Sequence, residues 1–345
     1  MIYVLAYVAM LFLRLSRAPG GYWLLLAVVF VFSAFRYEVG CDWTGYLNQY
    51  DVFGQLPVSE AIATREPIWT VIIALQVKLG LPYPWLNVFS SFMFFYGIHK
   101  LAKRQPDALG FLVLLFPVLI LNMPMSGIRQ GVAVGIMCLA YLAFIDRRLV
   151  RFVGLVLLAA GFHSSAIVFL LLAPMVTGGL SRGRIALSLL LALPGGLALM
   201  TTDAVNTATS RYVGTDVDAA GAAYRVALLV LVAIWFLMFL RRKWQITFPA
   251  DHKLAVIGSL MMLGLLVVLP ASSVIADRLN YYFIPIQAMI LARLPFLPMR
   301  NGRALAVAAP YIGLLAVLVV WALLSSHFQK CYLPYQTWIF GIPGN

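Results

Sequence analysis

Long apolar segments follow one another along almost the whole chain, separated by short polar stretches. A helix that crosses a bilayer needs about 20 apolar residues, because each residue advances only about 1.5 Å. Several segments are shorter, and tilt, local thinning of the bilayer or burial among neighbours would accommodate them. The segments are residues 2–13, 22–35, 68–80, 83–99, 108–122, 129–145, 149–162, 164–176, 185–200, 222–240, 253–270, 279–295 and 303–326. This pattern predicts an all-α polytopic membrane protein, since helices satisfy their own backbone hydrogen bonds in lipid.

Composition supports the same class. Hydrophobic residues make up 63% of the 345 residues and charged residues only 11%, whereas a soluble domain is about half apolar and a quarter charged. No soluble module interrupts the apolar segments, so residues 1–345 are predicted to form a single transmembrane domain. The first segment lacks a basic leading region and a small-residue cleavage site, which favours a retained helix over a signal peptide.

The basic residues indicate how the chain crosses the membrane. They cluster in short loops, and the positive-inside rule places such loops on the cytoplasmic side. All of these loops can lie on that side if only one of the segments 68–80 and 83–99 crosses the membrane. The shorter segment, 68–80, contains two polar residues and is predicted to be an interfacial helix. This leaves about 12 transmembrane helices. Two long outer loops are predicted at about 36–67 and 201–220.

The net charge of +13 does not point to nucleic acid, because no basic cluster is interleaved with aromatic residues. No nucleotide-binding loop or set of metal ligands is present either, so no cofactor and no metal are predicted. The three cysteines, Cys41, Cys138 and Cys331, have no paired spacing, although Cys41 and Cys331 could lie on one side of the membrane and form a bridge.

Unusual polar residues gather on the predicted outer side. Arg36, Asp42 and Tyr46 follow the second segment, and Glu66 precedes a proline at the start of the interfacial segment. Glu66 is either a helix N-terminal charge or a catalytic base. Arg36 is either an arginine that extends its charge to the interface or an anion-binding residue.

Further along the chain, Arg129 and Gln130 enter a membrane helix lined with small residues. An arginine there is costly unless it faces a cavity, a carboxylate or a phosphate. His163 lies between two apolar segments and is either a structural histidine or a base. Arg278 and Tyr281 begin another helix on the outer side, where Asp277 could simply pair with Arg278. Arg211 and Arg225 could add to the positive charge. The aromatic residues near the C-terminus, Tyr332, Tyr335 and Trp338, are predicted to form an interfacial belt.

The order of these motifs resembles the EpsG-type, Wzy-like family of bacterial polysaccharide polymerases. The matching elements are Arg36 with Gly40, Asp42 and Tyr46, then Glu66-Pro67, Ile128-Arg129-Gln130, Phe162-His163 with Ser165, and Arg278 with Tyr281 and Tyr282. The likeness is strongest in residues 1–176. It implies a GT-C-like membrane glycosyltransferase that joins oligosaccharide repeat units carried on undecaprenyl diphosphate into exopolysaccharide, capsule or O-antigen.

The resemblance leads to a specific hypothesis for the site. Arg36, Arg129 and Arg278 would bind the donor's diphosphate, and Asp42, Glu66 or His163 would take the proton of the attacking hydroxyl. Tyr46, Gln130, Arg211 and Tyr281 would contact substrate. The reaction would need no metal, and the site would face the periplasm or exterior of the bacterial cytoplasmic (inner) membrane.

Other interpretations stay open. The chain could be a transferase that adds a single sugar from a polyprenyl phosphate, or a flippase or exporter of lipid-linked sugars. A transporter would be expected to carry charges through the bilayer depth and internal repeats, and neither is evident. The partners implied are the lipid-linked donor and acceptor, membrane lipid, and a chain-length regulator and flippase of the same pathway.

Overall fold

The computed structural model describes residues 2–16, 18–57, 66–179, 181–184, 186–187, 190, 221–299 and 302–342. Regular structure in these ranges is helical, apart from an isolated bridge between Arg36 and Thr337, so the predicted all-α class is confirmed. The helices are α1 (Ile2–Ser16), α2 (Gly21–Ala34), α3 (Trp43–Gln55), α4 (Pro67–Lys78), α5 (Pro84–Ala102), α6 (Ala108–Ile120), α7 (Ile128–Ile145), α8 (Leu149–Phe162), α9 (Ser164–Val176), α10 (Ala222–Thr247), α11 (His252–Ala271), α12 (Ser273–Ala292), α13 (Arg303–Leu324) and α14 (Ser326–Tyr332).

Four of these helices, α7, α10, α11 and α13, are long and apolar enough to cross a membrane. Shorter apolar helices, such as α1, α2 and α6, lie around them. The chain is therefore a helical membrane protein, and the number of about 12 crossings stays a prediction.

The helix α7 lies at the centre of the fold. It is the most buried of the four long apolar helices and packs against α5 and α8. The contact with α5 requires glycine, because a Cβ atom on Gly97 would lie 1.8 Å from the carbonyl oxygen of Gly135. The small residues of α7 thus allow close approach of two helix backbones.

The helix α4 has both of its ends at the same end of the bundle. Its N-terminal residue Glu66 contacts Arg129 at the start of α7. Its C-terminal end leads directly into α5, where Asn87 in the first turn accepts a hydrogen bond from Arg36 at the end of α2. Arg36 also donates to the carbonyl of Met125, just before α7. The interfacial position predicted for segment 68–80 stays a prediction.

The opposite end of the bundle carries a separate set of ion pairs. Each pairs an aspartate with an arginine from the short basic loops that the sequence predicts to be cytoplasmic. The pairs are Arg14–Asp107 (2.8 Å), Arg104–Asp146 (3.1 Å) and Arg293–Asp251 (2.5 Å). The structure thus keeps the two predicted sets of charges apart.

The two predicted outer loops are described to different extents. In the range 36–67, the described residues include the helix α3, which packs against α4, and residues 58–65 lie outside the described ranges. The range 201–220, with Arg211, lies outside the described residues.

The belt predicted for the C-terminal aromatic residues is wrong for Tyr332 and Trp338, whose exposed fractions are 1% and 8%. Tyr335 stacks on Phe32 with 4.4 Å between the ring centroids. These aromatic side chains therefore belong to the packed interior.

Candidate active site

A cavity of about 720 Å³ lies at the end of the bundle that is predicted to face outward, where α6, α10, α12 and α13 meet. Four of the predicted site residues line it: Asp42, Gln130, Arg278 and Tyr281. Asp277 and Arg225 also face the cavity, together with apolar residues of α6 and α13. The cavity therefore combines carboxylates, guanidinium groups and an apolar wall.

A sharp turn places Asp42 at this cavity. Gly40 adopts a φ of +107°, and a Cβ atom there would lie 1.8 Å from the carbonyl oxygen of Met125, so only glycine fits. Asp42 then immediately precedes α3. Its carboxylate accepts a hydrogen bond of 3.2 Å from the hydroxyl of Ser126, which holds the side chain toward the cavity.

The cations of the cavity are positioned by contacts between helices. Gln130 of α7 donates a hydrogen bond from its side-chain amide to the carbonyl oxygen of Arg278, which connects α7 to α12. Arg225 of α10 donates to Asp277 at 2.7 Å. Asn280 donates to the same carboxylate oxygen at 2.9 Å. The carboxylate of Asp277 is thus bound by Arg225, a partner that sequence reasoning did not assign to it.

A second group of predicted residues adjoins the cavity. Arg129 forms an ion pair of 2.6 Å with Glu66, and both side chains are only 15% exposed. The guanidinium lies 5.7 Å from the ring centre of Tyr46. Asp42 is close enough for its charge to act on Arg129 as well. The alternative of a carboxylate partner for Arg129, left open by the sequence, is therefore the arrangement observed.

His163 connects α8 to α9 beside this second group. Its Nδ1 lies 2.6 Å from the hydroxyl of Ser165, which is 3.1 Å from the hydroxyl of Tyr282. Burial lowers the pKa of His163 to about 4, with a further lowering by the charges of Arg129 and Arg278 that Glu66 opposes. The imidazole is therefore neutral near pH 7.

Arg36 lies apart from the cavity and is 1% exposed. Its guanidinium donates four hydrogen bonds of 2.8–2.9 Å, to the carbonyl oxygens of Ser33, Val39 and Met125 and to the side chain of Asn87. This arrangement anchors the chain where α2 ends. The structure does not bring Arg36 together with Arg278, and its predicted contact with diphosphate stays a prediction.

A disulfide joins Cys41 to Cys331 at the rim of the cavity, so the bridge that the sequence left open is formed. Each cysteine precedes a cavity residue, Asp42 or Tyr332. The Nε2 atom of His327 lies 3.0 Å from the sulfur of Cys41. These two sulfurs and this imidazole form the only cluster among the described residues with the spacing of a metal site, and the sulfurs are bonded to each other.

Sequence reasoning missed two contributors, Ser126 and Tyr332. Tyr332 lines the cavity and donates to the carbonyl oxygen of Leu121 at 3.1 Å, across 211 positions of sequence. No local pattern could reveal that contact. Ser126 lies inside the motif that contains Arg129, but a serine in a turn is common, so its contact with Asp42 required the fold.

The sequence model of the EpsG family matches residues 22–337, which is nearly the whole chain. The chain belongs to the EpsG family. This membership supports a general role as a glycosyltransferase-like polysaccharide polymerase in a membrane. Neither a curated protein nor a solved structure matches the chain.

Proposed function

We propose that this EpsG family protein joins oligosaccharide repeat units carried on undecaprenyl diphosphate, at the outer face of the bacterial cytoplasmic membrane. One observation carries the proposal: a single cavity presents two carboxylates, one of them Asp42, together with two guanidinium groups and an apolar wall. The two substrates have complementary parts. The lipid-linked donor has an anionic diphosphate leaving group and a hydrocarbon chain, and the acceptor has a hydroxyl group to be deprotonated.

The reaction proceeds by a single displacement. The acceptor's hydroxyl oxygen attacks the anomeric carbon of the donor, the bond from that carbon to the diphosphate oxygen breaks, and undecaprenyl diphosphate leaves. Asp42 takes the hydroxyl proton. Arg278 and Arg225 bind the diphosphate, since a guanidinium can grip phosphate oxygens with two parallel hydrogen bonds. They stabilise its growing negative charge, so no metal ion is needed.

Asp42 is the preferred base because it lines the cavity. Glu66 is instead engaged by Arg129, and His163 by Ser165. In this proposal the pair of Glu66 and Arg129 supports the wall behind Asp42. Direct catalytic roles for Glu66 and His163, and a diphosphate contact for Arg129, stay predictions.

The test uses purified protein and undecaprenyl-diphosphate repeat units from the matching glycan locus, without nucleotide sugar or metal ion. The wild type is expected to produce a ladder of repeats. Asp42→Asn should lower the rate by about 100- to 10,000-fold, the usual contribution of a general base. The matched control is Asp51→Asn, an exposed aspartate on α3, which should retain the wild-type rate.

The products separate the alternatives. In a parallel assay that also contains a polyprenyl-phosphate sugar, a single addition without a ladder would replace the proposal with the decorating transferase. Movement of intact lipid-linked sugar across vesicles, without new glycosidic bonds, would replace it with the flippase or exporter. A fully active Asp42→Asn protein would remove Asp42 from the mechanism.

A further inference from the structure

The apolar wall of the cavity reaches the surface of the bundle. Val320 and Leu324 of α13 line the cavity, yet they are 53% and 79% exposed. On the α10 side, Tyr224 also lines the cavity and is 49% exposed. A side chain can face a cavity and the exterior together only at an opening. The cavity therefore opens sideways between α10 and α13 in the described part of the chain.

The packing of these two helices explains the opening. The helix α10 packs on α11 and α12, whereas α13 packs on α1 and α6. The helix α13 is also the least buried of the four long apolar helices. Exposed leucine and valine side chains on such a helix face lipid in a membrane protein, so the opening leads to the hydrocarbon of the bilayer.

The polar end of the cavity lies beside this apolar opening. Arg225 and Arg278, with the carboxylates of Asp42 and Asp277, line the same cavity as Val320 and Leu324. From this we infer that the gap between α10 and α13 is the binding groove for the polyprenyl chain of a diphosphate-linked lipid. The inference rests on the proposed function and adds the position at which the lipid enters.

The charges favour a polyprenyl diphosphate over an ordinary phospholipid as the occupant. Two guanidinium groups can grip two phosphate groups, whereas the phosphodiester of a phospholipid offers only one. A volume of about 720 Å³ is that of a pocket for a drug-sized ligand. It can enclose the diphosphate and the first isoprene units, while the rest of the chain stays in the bilayer.

The experiment measures binding of undecaprenyl diphosphate without sugar, to full-length protein in lipid nanodiscs, so no turnover is needed. Val320→Trp narrows the opening and should weaken this binding at least about tenfold, a loss of about 1.4 kcal/mol. Its affinity for inorganic pyrophosphate should match that of the wild type. Leu323→Trp is the control, because Leu323 is 60% exposed on the same helix but does not line the cavity.

Farnesyl diphosphate should bind nearly as tightly as undecaprenyl diphosphate, since only the first isoprene units are enclosed. Unchanged binding of undecaprenyl diphosphate by Val320→Trp would overturn the inference, and so would an equal loss in Leu323→Trp. Displacement by equimolar phosphatidylglycerol would also overturn it, in favour of a phospholipid site. Binding of undecaprenyl diphosphate in the groove, without a product ladder in the turnover assay, would contradict the proposed polymerisation but not the lipid-binding groove.

Discussion

At the scale of single residues, burial determines the protonation state of His163. Its pKa is about 4 in the folded protein because of burial, against an ordinary value of 6.5. As pH falls from 6.5 to 4, the unfolded chain therefore binds a proton that the folded protein does not, and the free energy of unfolding decreases. The wild type is expected to show a lower Tm at pH 5 than at pH 7.5.

The variant His163→Gln removes the group that binds this proton. Between pH 7.5 and pH 5, its Tm should therefore fall less than that of the wild type. Melting curves of detergent-solubilised protein at both pH values provide the measurement. His327→Gln is the control because its side chain is exposed, and it should keep the acid sensitivity of the wild type. An identical pH dependence in wild type and His163→Gln would show that another group is responsible.

Most of the predicted site residues lie at one end of the bundle, but the sequence did not show which of them share the cavity. Residue type and position on the predicted outer side singled out Asp42, Arg129 and Arg278, and an arginine that enters a membrane helix is costly unless it faces a cavity, a carboxylate or a phosphate. Which of them share a cavity depends on how helices pack. The ion pair of Arg129 with Glu66 and the burial of Arg36 are contacts across 63 and up to 89 positions, and no local pattern encodes them.

At the scale of elements, the C-terminal segment folds back over the turn between α2 and α3. The amide of Gly40 donates to the carbonyl of Cys331, and the amide of Tyr37 donates to the carbonyl of Gln336. Together with the disulfide to Cys41, these contacts hold the turn that carries Asp42. The segment therefore contributes to the cavity from the far end of the chain.

Loss of the disulfide should disorder this turn. The double variant Cys41→Ser/Cys331→Ser is expected to lose about 2–4 kcal/mol of stability, the usual contribution of a disulfide. It should also polymerise more slowly, because Asp42 is less well placed. Reductant should slow the wild type but not the double variant. Cys138→Ser is the control, since Cys138 is free and buried, and it should keep the wild type's sensitivity to reductant.

The outcome is read from initial rates at several substrate concentrations, with mass spectrometry of the unreduced protein to verify the bond. Wild-type kcat and KM in the double variant would mean that the backbone hydrogen bonds alone position Asp42.

The amino-acid sequence could not decide the pairing of Cys41 with Cys331. The two cysteines are 290 positions apart, and only the folded chain brings them together.

The helices themselves followed more directly from the sequence. The segment 129–145 matches α7 (Ile128–Ile145) within one residue, because Gly127 and Asp146 interrupt the apolar run at its two ends. The helix α3, within the range 36–67, was harder to predict from the sequence, because it is too polar to resemble a membrane segment. Its stability comes instead from tertiary contacts, such as the packing of Trp43 on Tyr83.

At the scale of the whole molecule, the ion pairs of the described residues divide between two ends. The pairs of Glu66 with Arg129 and of Asp277 with Arg225 lie at the cavity end. The pairs formed by Asp107, Asp146 and Asp251 lie at the other end. Apolar helices such as α7 separate the two ends, which is the arrangement expected of a protein with water on both sides of a membrane.

The positive-inside rule assigns the basic end to the cytoplasm, and this orientation can be measured with two engineered cysteines. Asp51 on α3 and Arg148 before α8 are both exposed, at the cavity end and the basic end respectively. The native cysteines should not react, since two are bonded to each other and Cys138 is buried. In intact spheroplasts, a membrane-impermeant maleimide should therefore label Asp51→Cys and leave Arg148→Cys unlabelled. Permeabilisation should allow both variants to react. Labelling of Arg148→Cys but not Asp51→Cys in intact spheroplasts would place the cavity on the cytoplasmic side and contradict the proposed site of polymerisation.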